Sequence, residues 1–180
     1  MARKSQTEMA VLGALGVAPM TGYALRRAIH EVLGHFWSES FGQIYPTLSR
    51  LEADGLVVRS GTQRSAPYSI TEAGLHRLRE LLGQPVQQVP PRNGLMLRLF
   101  FGRQLGPDRC QQLVREARQQ AEQQLVQFEA IRAEMATEPE TGADHQYWFI
   151  TIAAGEHAAR ATIDWADETT AALARIGATP

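Results

Sequence analysis

Cysteine is nearly missing. Cys110 is the one thiol in 180 residues, which rules out an internal disulfide framework and fits a reducing compartment. Lysine is as scarce: Lys4 stands alone among 18 basic residues, and the remainder are Arg, the side chain suited to bidentate contacts. No stretch approaches the ~18 uninterrupted apolar residues of a membrane span. The opening MARKSQTEMA lacks the apolar segment of a secretory signal, so the expectation is a cytoplasmic chain without a membrane partner. A glycine-rich phosphate loop, a nucleophile elbow and a Ser/His/Asp order are all absent, which argues against an enzyme. None of the five histidines, His30, His35, His76, His145 and His157, stands at a metal-helix spacing from another ligand. No metal and no cofactor is expected.

Strong charge bias is also missing. Net charge is −1 overall. Residues 1–83 carry nine basic against seven acidic side chains, +2, and residues 84–180 nine against twelve, −3. Any surface for a polyanion must therefore be local.

What is present is helical periodicity, broken at two places. GQPVQQVPP, Gly83 to Pro91, is a proline-rich linker, and TEPETGAD, Thr137 to Asp144, is a second break. The division is residues 1–83, a linker at 84–91, and 92–180. In the first part Ser5 and Glu8 form a capping box for a helix with Met9, Leu12 and Leu15 on one stripe, ended by Pro19. Arg3 and Lys4 lie ahead of it, able to reach a phosphate. Thr21 caps a second helix whose apolar face is Tyr23, Ala24, Leu25, Ala28, Ile29, Val32 and Leu33, stopped at Gly34. A third helix, from about Gly42 to Asp54, turns Ile44, Leu48 and Leu51 inward, with Pro46 tolerated near its first turn. Two short strands, around Val57 and Ser69, flank the polar tip Ser60 to Ala66. Thr71 caps a fourth helix with the stripe Leu75, Leu78, Leu81 and Leu82. Three helices, a two-stranded wing and a helix form the pattern of a winged helix-turn-helix.

The last part reads as all helix. Asn93 to Leu105 is crowded with apolar residues. From Pro107 one stripe runs Cys110, Leu113, Val114, Ala117, Ala121, Leu125, Phe128, Ile131 and Met135, and a final helix from Asp144 to Ile176 carries Trp148, Ile152, Ala158, Ala161, Trp165 and Leu173. A helix of roughly 30 residues is ~45 Å long and needs long neighbours. A homodimer supplies them. The expected class is mostly α with a small β-wing: a winged helix followed by a long-helix dimerisation domain.

The third helix carries the chemistry. Gln43, Pro46, Ser49, Arg50 and Ala53 lie opposite its apolar side, a small polar face with one long cation. Such a face can enter a major groove about 12 Å wide, where Gln and Arg read base edges. Tyr45 and Thr47 flank it with hydroxyls for phosphate oxygens. The wing tip offers Arg64 and Ser65 to the DNA backbone or minor groove. Arg50 is the expected base-reading cation. The sets Phe100, Phe101, Trp148, Trp165 and His30, His35, Phe36, Trp37 are taken as packing, so no ligand-binding residue is named.

The run Ile44-Tyr45-Pro46-Thr47-Leu48-Ser49-Arg50-Leu51-Glu52-Ala53-Asp54-Gly55-Leu56-Val57 closely resembles the signature of the PadR family of transcriptional regulators. Gly22-Tyr23-Ala24-Leu25, Tyr68-Ser69-Ile70-Thr71-Glu72-Ala73-Gly74 and the block Leu97 to Phe101 resemble further pieces of that family in the same order. The resemblance implies a homodimeric repressor on double-stranded DNA, released when a small effector binds or governed by its own expression. It also places Gln43, Tyr45, Thr47, Ser49 and Arg50 at DNA-facing positions, whereas Lys4, Arg64 and Ser65 rest on chemistry alone. The rival class is a protein-protein adaptor that uses the winged helix as a scaffold. Steeply salt-dependent binding to a duplex separates the two.

Overall fold

Apolar spacing, two threonine caps and one glycine turn are enough to build the first half of the chain. In the computed structural model, residues 2–34, 37, 41–63, 65–86, 92–137 and 144–177 are described, the side chains of 2–4, 32 and 41 excepted. Two compact units form, Met1–Val89 and Pro90–Pro180.

In the first unit α1 (Ala2–Val17) packs against α3 (Phe41–Ala53) and α4 (Glu72–Leu82), with α2 (Gly22–Ala28) beside α3. Val11, Leu12, Leu15, Leu25, Ile29, Ile44, Leu48, Leu51, Val57, Tyr68 and Leu81 make one buried core. The apolar side of α3 is therefore inward, as its 4-then-3 spacing requires.

α1 starts earlier than a Ser5 cap would allow. Ser5 lies inside the helix and Glu8 is buried, so the capping box does not form: the Glu8 carboxylate has other partners. Arg3 and Lys4 are helical in backbone rather than ahead of the helix, and their side chains lie outside the described set. α2 has the expected cap, with Thr21 Oγ1 accepting from the Ala24 amide at 3.1 Å. It runs on as a π-helical turn, Ile29–Leu33, to Gly34. Only part of its expected apolar face is inside. Leu25 and Ile29 are buried, while Tyr23 and Ala24 are exposed, because their side of the helix has no neighbour in this unit. His35 and Phe36 lie outside the described residues.

α3 begins at Phe41, which places Pro46 in its second turn. The missing amide leaves the Gly42 carbonyl unpaired; Gly42 and Pro46 are both exposed, so water can satisfy it. Gly55 ends the helix in the left-handed region, φ 71°, which L side chains resist.

β1 (Val57–Arg59) and β2 (Tyr68–Ile70) pair antiparallel in the register Val57↔Ile70, Val58↔Ser69, Arg59↔Tyr68. Met20 bridges Tyr68 on its other side through two backbone bonds of 3.0 and 2.8 Å, which anchors the wing to the chain entering α2. Thr71 Oγ1 accepts from the Gly74 amide at 3.1 Å and lies 2.9 and 3.0 Å from the Gly55 and Leu56 carbonyls. One hydroxyl thus joins the turn after α3 to the start of α4. The stripe of α4 ends one residue early: Leu81 is buried and Leu82 exposed, since Leu82 falls on the side turned from α1.

In the second unit Asn93 caps α5 (Gly94–Phe100), its Oδ1 accepting from the Leu95 and Met96 amides at 3.0 Å. The crowded segment is not one helix to Leu105; it gives way to a 3₁₀ turn, Gly102–Gln104. α6 (Pro107–Thr137) and α7 (Asp144–Gly177) then lie antiparallel along each other. Phe128 sits on Gly155, where an added Cβ would come 2.4 Å from its ring. Two carboxylate-arginine links, Arg118–Asp167 at 2.7 Å and Arg132–Glu156 at 2.7 and 3.1 Å, fix the register.

The expected set on α7 divides between two sides. Ile152, with His145, Glu156, Ala159 and Ala166, is buried, whereas Ala158 and Ala161 are exposed. At 100° per residue they fall with Tyr147, Ile150, Ala154 and Trp165 on a stripe opposite α6. The apolar set of α7 thus spans two faces of the helix, one buried against α6 and one turned from it.

Gly74 shows how tight the wing-to-α4 join is. An alanine Cβ there would stand 2.1 Å from the Leu56 carbonyl oxygen and 2.8 Å from Ile70, and the first of these is backbone. Gly74→Ala is expected to cost at least about 1–3 kcal/mol, as overpacking does, seen as a lower urea midpoint at unchanged slope.

Candidate nucleic-acid interface

The outer side of α3 is built by exclusion. Ile44, Leu48 and Leu51 fill the core, which leaves Gly42, Gln43, Tyr45, Pro46, Ser49, Arg50 and Ala53 exposed. Gly22 lies under the Tyr45 ring: a Cβ at that glycine would meet Cε1 at 3.0 Å. Absence of a side chain there lets α2 approach α3. Thr47 does not belong to the outer set. It is buried, because it falls about 60° from the centre of the apolar side at 100° per residue.

Arg50 is exposed but not free. Its Nη2 donates to Glu8 Oε2 at 2.8 Å and Nη1 to Asp54 Oδ2 at 3.5 Å. The cation expected to read a base thus has two carboxylate partners within its own unit. A carboxylate buried in α1 requires counter-cations, and Arg50 is one of two that supply them. The other is Arg77 of α4, whose Nε donates to Glu8 Oε1 at 2.8 Å while Nη1 reaches Glu80 at 3.2 Å. Sequence reading missed Glu8 because a glutamate three residues after a serine also fits a cap. The signal available was its i+3, i+4 and i+7 spacing to Val11, Leu12 and Leu15, which puts it on the same buried face.

The wing is fastened to α3 as well. Arg59 stacks on the Tyr68 ring at 4.6 Å, bonds the Tyr68 hydroxyl, and faces Glu52 of α3 at 3.3 Å. Arg59 is thereby a support of the wing rather than part of its tip. At the tip Gly61, Thr62, Gln63 and Ser65 are exposed, with Ala66 donating back to the Gln63 carbonyl at 2.9 Å. Arg64 and the side chain of Lys4 lie outside the described residues. The structure thus brings Gln43, Tyr45, Ser49 and Arg50 onto one exposed helix side and keeps Ser65 exposed on the neighbouring wing. No group of three or more His, Cys, Asp or Glu suited to a metal occurs among the described residues, and no described helix is long and apolar enough to cross a membrane.

Residues 11–80 match the transcriptional regulator PadR-like family, and residues 91–174 match the virulence activator alpha C-terminal family. The winged-helix part of the chain is thus similar to the PadR-like transcriptional regulators. Among curated PadR-like relatives, the negative transcriptional regulator PadR of Bacillus subtilis is 30% identical over 51% of this chain, a match that spans 54% of that protein. A probable transcriptional regulator of Mycobacterium tuberculosis is 27% identical over 91% of this chain and 95% of its own length. The fold is that of solved PadR-like structures. A PadR-like regulator from Bacillus cereus superposes with a TM-score of 0.80 at 21% identity, covering 94% of this chain and 98% of that one. B. subtilis PadR in complex with operator DNA gives 0.78 at 21% identity over 92% and 98%. The same protein with p-coumaric acid gives 0.74 at 22% over 92% and 97%.

The electrostatics of Glu8 carry a pH consequence for this PadR-like chain. Burial pushes its carboxyl up, but the hydrogen bonds from Arg77 and Arg50 outweigh it and hold the group below the ordinary carboxylate range. The folded state therefore binds that proton less readily than the unfolded chain does. The stabilisation is fully present above the unfolded carboxylate pKa and fades as pH falls through the folded one. Glu8→Gln should flatten the acid side of the stability profile, measured by urea unfolding between neutral pH and pH 3. At neutral pH it should cost about 1–3 kcal/mol, the penalty for a buried group losing its charged partners.

Proposed function

We propose that the chain is a homodimeric repressor of PadR type that binds an inverted-repeat operator through α3 and the wing. One observation carries the reading: the outer side of α3, with Gln43, Tyr45 and Ser49 exposed and its apolar side wholly inward, beside a wing braced onto the same helix by Arg59 and Glu52. Gln43 has the geometry to pair with an adenine edge, Ser49 accepts either base, and Tyr45 with Ser65 supplies phosphate contacts. Arg64 and Lys4 are the further phosphate partners in this reading. The fold shared with a PadR solved on operator DNA supports it.

Dimerisation is read from α7. Tyr147 and Ile150 are exposed on the side opposite α6, and Ala154, Ala158 and Ala161 continue that stripe with small side chains. A second copy of the stripe, related by a two-fold axis, would cover it. Two recognition helices related in this way read an inverted repeat, with half-site centres about 10 bp apart or a multiple of it. A small aromatic effector would act by binding one spacing of the two recognition helices better than the other; the p-coumaric acid complex of B. subtilis PadR supports testing that class first.

Selection of bound duplexes from a random pool is expected to return an inverted repeat, and Gln43→Ala to lower affinity by about 1–3 kcal/mol with relaxed preference at one base pair per half-site. Ile150→Asp should give a folded monomer by light scattering that has lost operator binding. A monomeric unsubstituted chain, or binding indifferent to salt and sequence, would overturn the reading.

A further inference from the structure

We propose that Glu8 is a positioning residue for DNA reading: through Arg50 it sets the rotation of α3 about its own axis, and through Arg77 it holds that setting against α4. The inference rests on the DNA-binding reading of α3, but its structural half can be tested without DNA.

Both carboxylate oxygens of Glu8 are used, one by each guanidinium, at 2.8 Å. The glutamate side chain is 7% exposed, while those of Arg50 and Arg77 are 42% and 37% exposed. One buried anion therefore joins three helices from the inside, with the two cations closing over it at the surface. The arrangement matters because of where Arg50 stands. Ile44, Leu48 and Leu51 hold α3 by apolar contact, which resists separation strongly and rotation weakly. Arg50 lies at the margin between the apolar and outer sides, where a short charge-assisted bond opposes rotation with the longest lever.

Gln43 is seven residues earlier, hence about 20° from Arg50 around the axis. The residue that is tethered and the residue that reads thus share one column of the helix. A slip of 20° at a side-chain radius of about 5–6 Å moves the Gln43 amide by about 2 Å. Functional hydrogen bonds tolerate about 0.5 Å. Loosening the clamp would therefore blur every base contact of the helix together, where removal of one reader erases one.

The test uses the full chain as Glu8→Gln, Arg50→Ala, Arg50→Lys and the double variant Glu8→Gln/Arg50→Ala. Affinities are titrated against the selected operator, its single-base variants and a scrambled duplex. Glu8→Gln, which touches no DNA, is expected to weaken operator binding at least tenfold, to flatten preference across the whole half-site, and to leave scrambled duplex within about twofold. Arg50→Ala should do the same, the double variant no more than either single one, and Arg50→Lys should restore part of the loss. In the DNA-free protein, the amide resonances of Gln43 and Ser49 should shift in Glu8→Gln, whatever the chain binds. Should Glu8→Gln not fold, Arg77→Lys replaces it with the same expectations. Loss of preference at a single base pair in Arg50→Ala, with Glu8→Gln unaltered and the two effects additive, would overturn the proposal and make Arg50 a base reader. Unmoved resonances would overturn it as well. Failure of the unsubstituted chain to prefer any duplex would instead strike the DNA-binding reading, leaving the resonance result to judge the clamp.

Discussion

A carboxylate inside a small apolar core is tolerable only when charge and hydrogen bonds meet both of its oxygens. Glu8 imposes that condition on the first unit. Its desolvation disfavours the ionised form, and the two guanidinium groups reverse the balance. The rest of the unit follows from where those cations must stand. Arg50 has to sit at the inner margin of α3 and Arg77 on the α1-facing side of α4, so the three helices can meet in one relative rotation. A hydrophobic residue at position 8 would pack as well or better, since buried ion pairs seldom add net stability. Directional bonds supply instead a unique orientation, which a reading helix needs more than it needs extra stability.

The second unit solves a different problem. Two helices of 31 and 34 residues form a hairpin one layer thick, and a single layer has two faces. Its inner seam is mixed. Small residues such as Ala121, Ala159 and Ala166 allow close approach, Phe128 fills the space left at Gly155, and Glu156 is met by Arg132 from α6 and by Arg160 from its own helix. That carboxylate is held low mainly by its hydrogen bond to Arg132. The outer stripe of α7 has nothing comparable among the described residues of its own unit. The same hairpin that is satisfied along one side is therefore left with Ile150 and Tyr147 in water on the other, which is why the pair makes sense as half of a larger bundle.

Much of this was legible from spacing alone. The Thr21 and Thr71 caps, the glycine stop at Gly55, the two wing strands and the α6 stripe all depend on local chemistry, and the structure reproduces them within a residue or two. The errors have one source. Tyr23 and Leu82 are apolar residues at helical spacing whose burial depends on which neighbour each side meets, and a single helix does not encode that. The site divides the same way. The outward set Gln43, Tyr45, Ser49 and Arg50 follows from rotation about one axis. The burial of Thr47 depends on how far neighbouring helices wrap around α3, and the engagement of Arg50 is a bond across 42 residues of sequence. Long-range ion pairs leave no periodic trace.

The pairing pattern also explains how a chain of near-zero net charge can suit DNA. Arg27, Arg50, Arg59 and Arg77 each face a carboxylate of their own unit, so their charge is largely spent on holding the fold. Non-specific attraction to phosphate scales with the number of cations that displace counterions, and these four are committed elsewhere. What remains at the outer side of α3 is uncharged and polar: an amide, hydroxyls and small carbons. On the proposed reading, such a face would trade grip on arbitrary sequence for discrimination. Discrimination by short side chains in turn demands that the helix carrying them be held at a fixed rotation, which returns the burden to the buried carboxylate of α1.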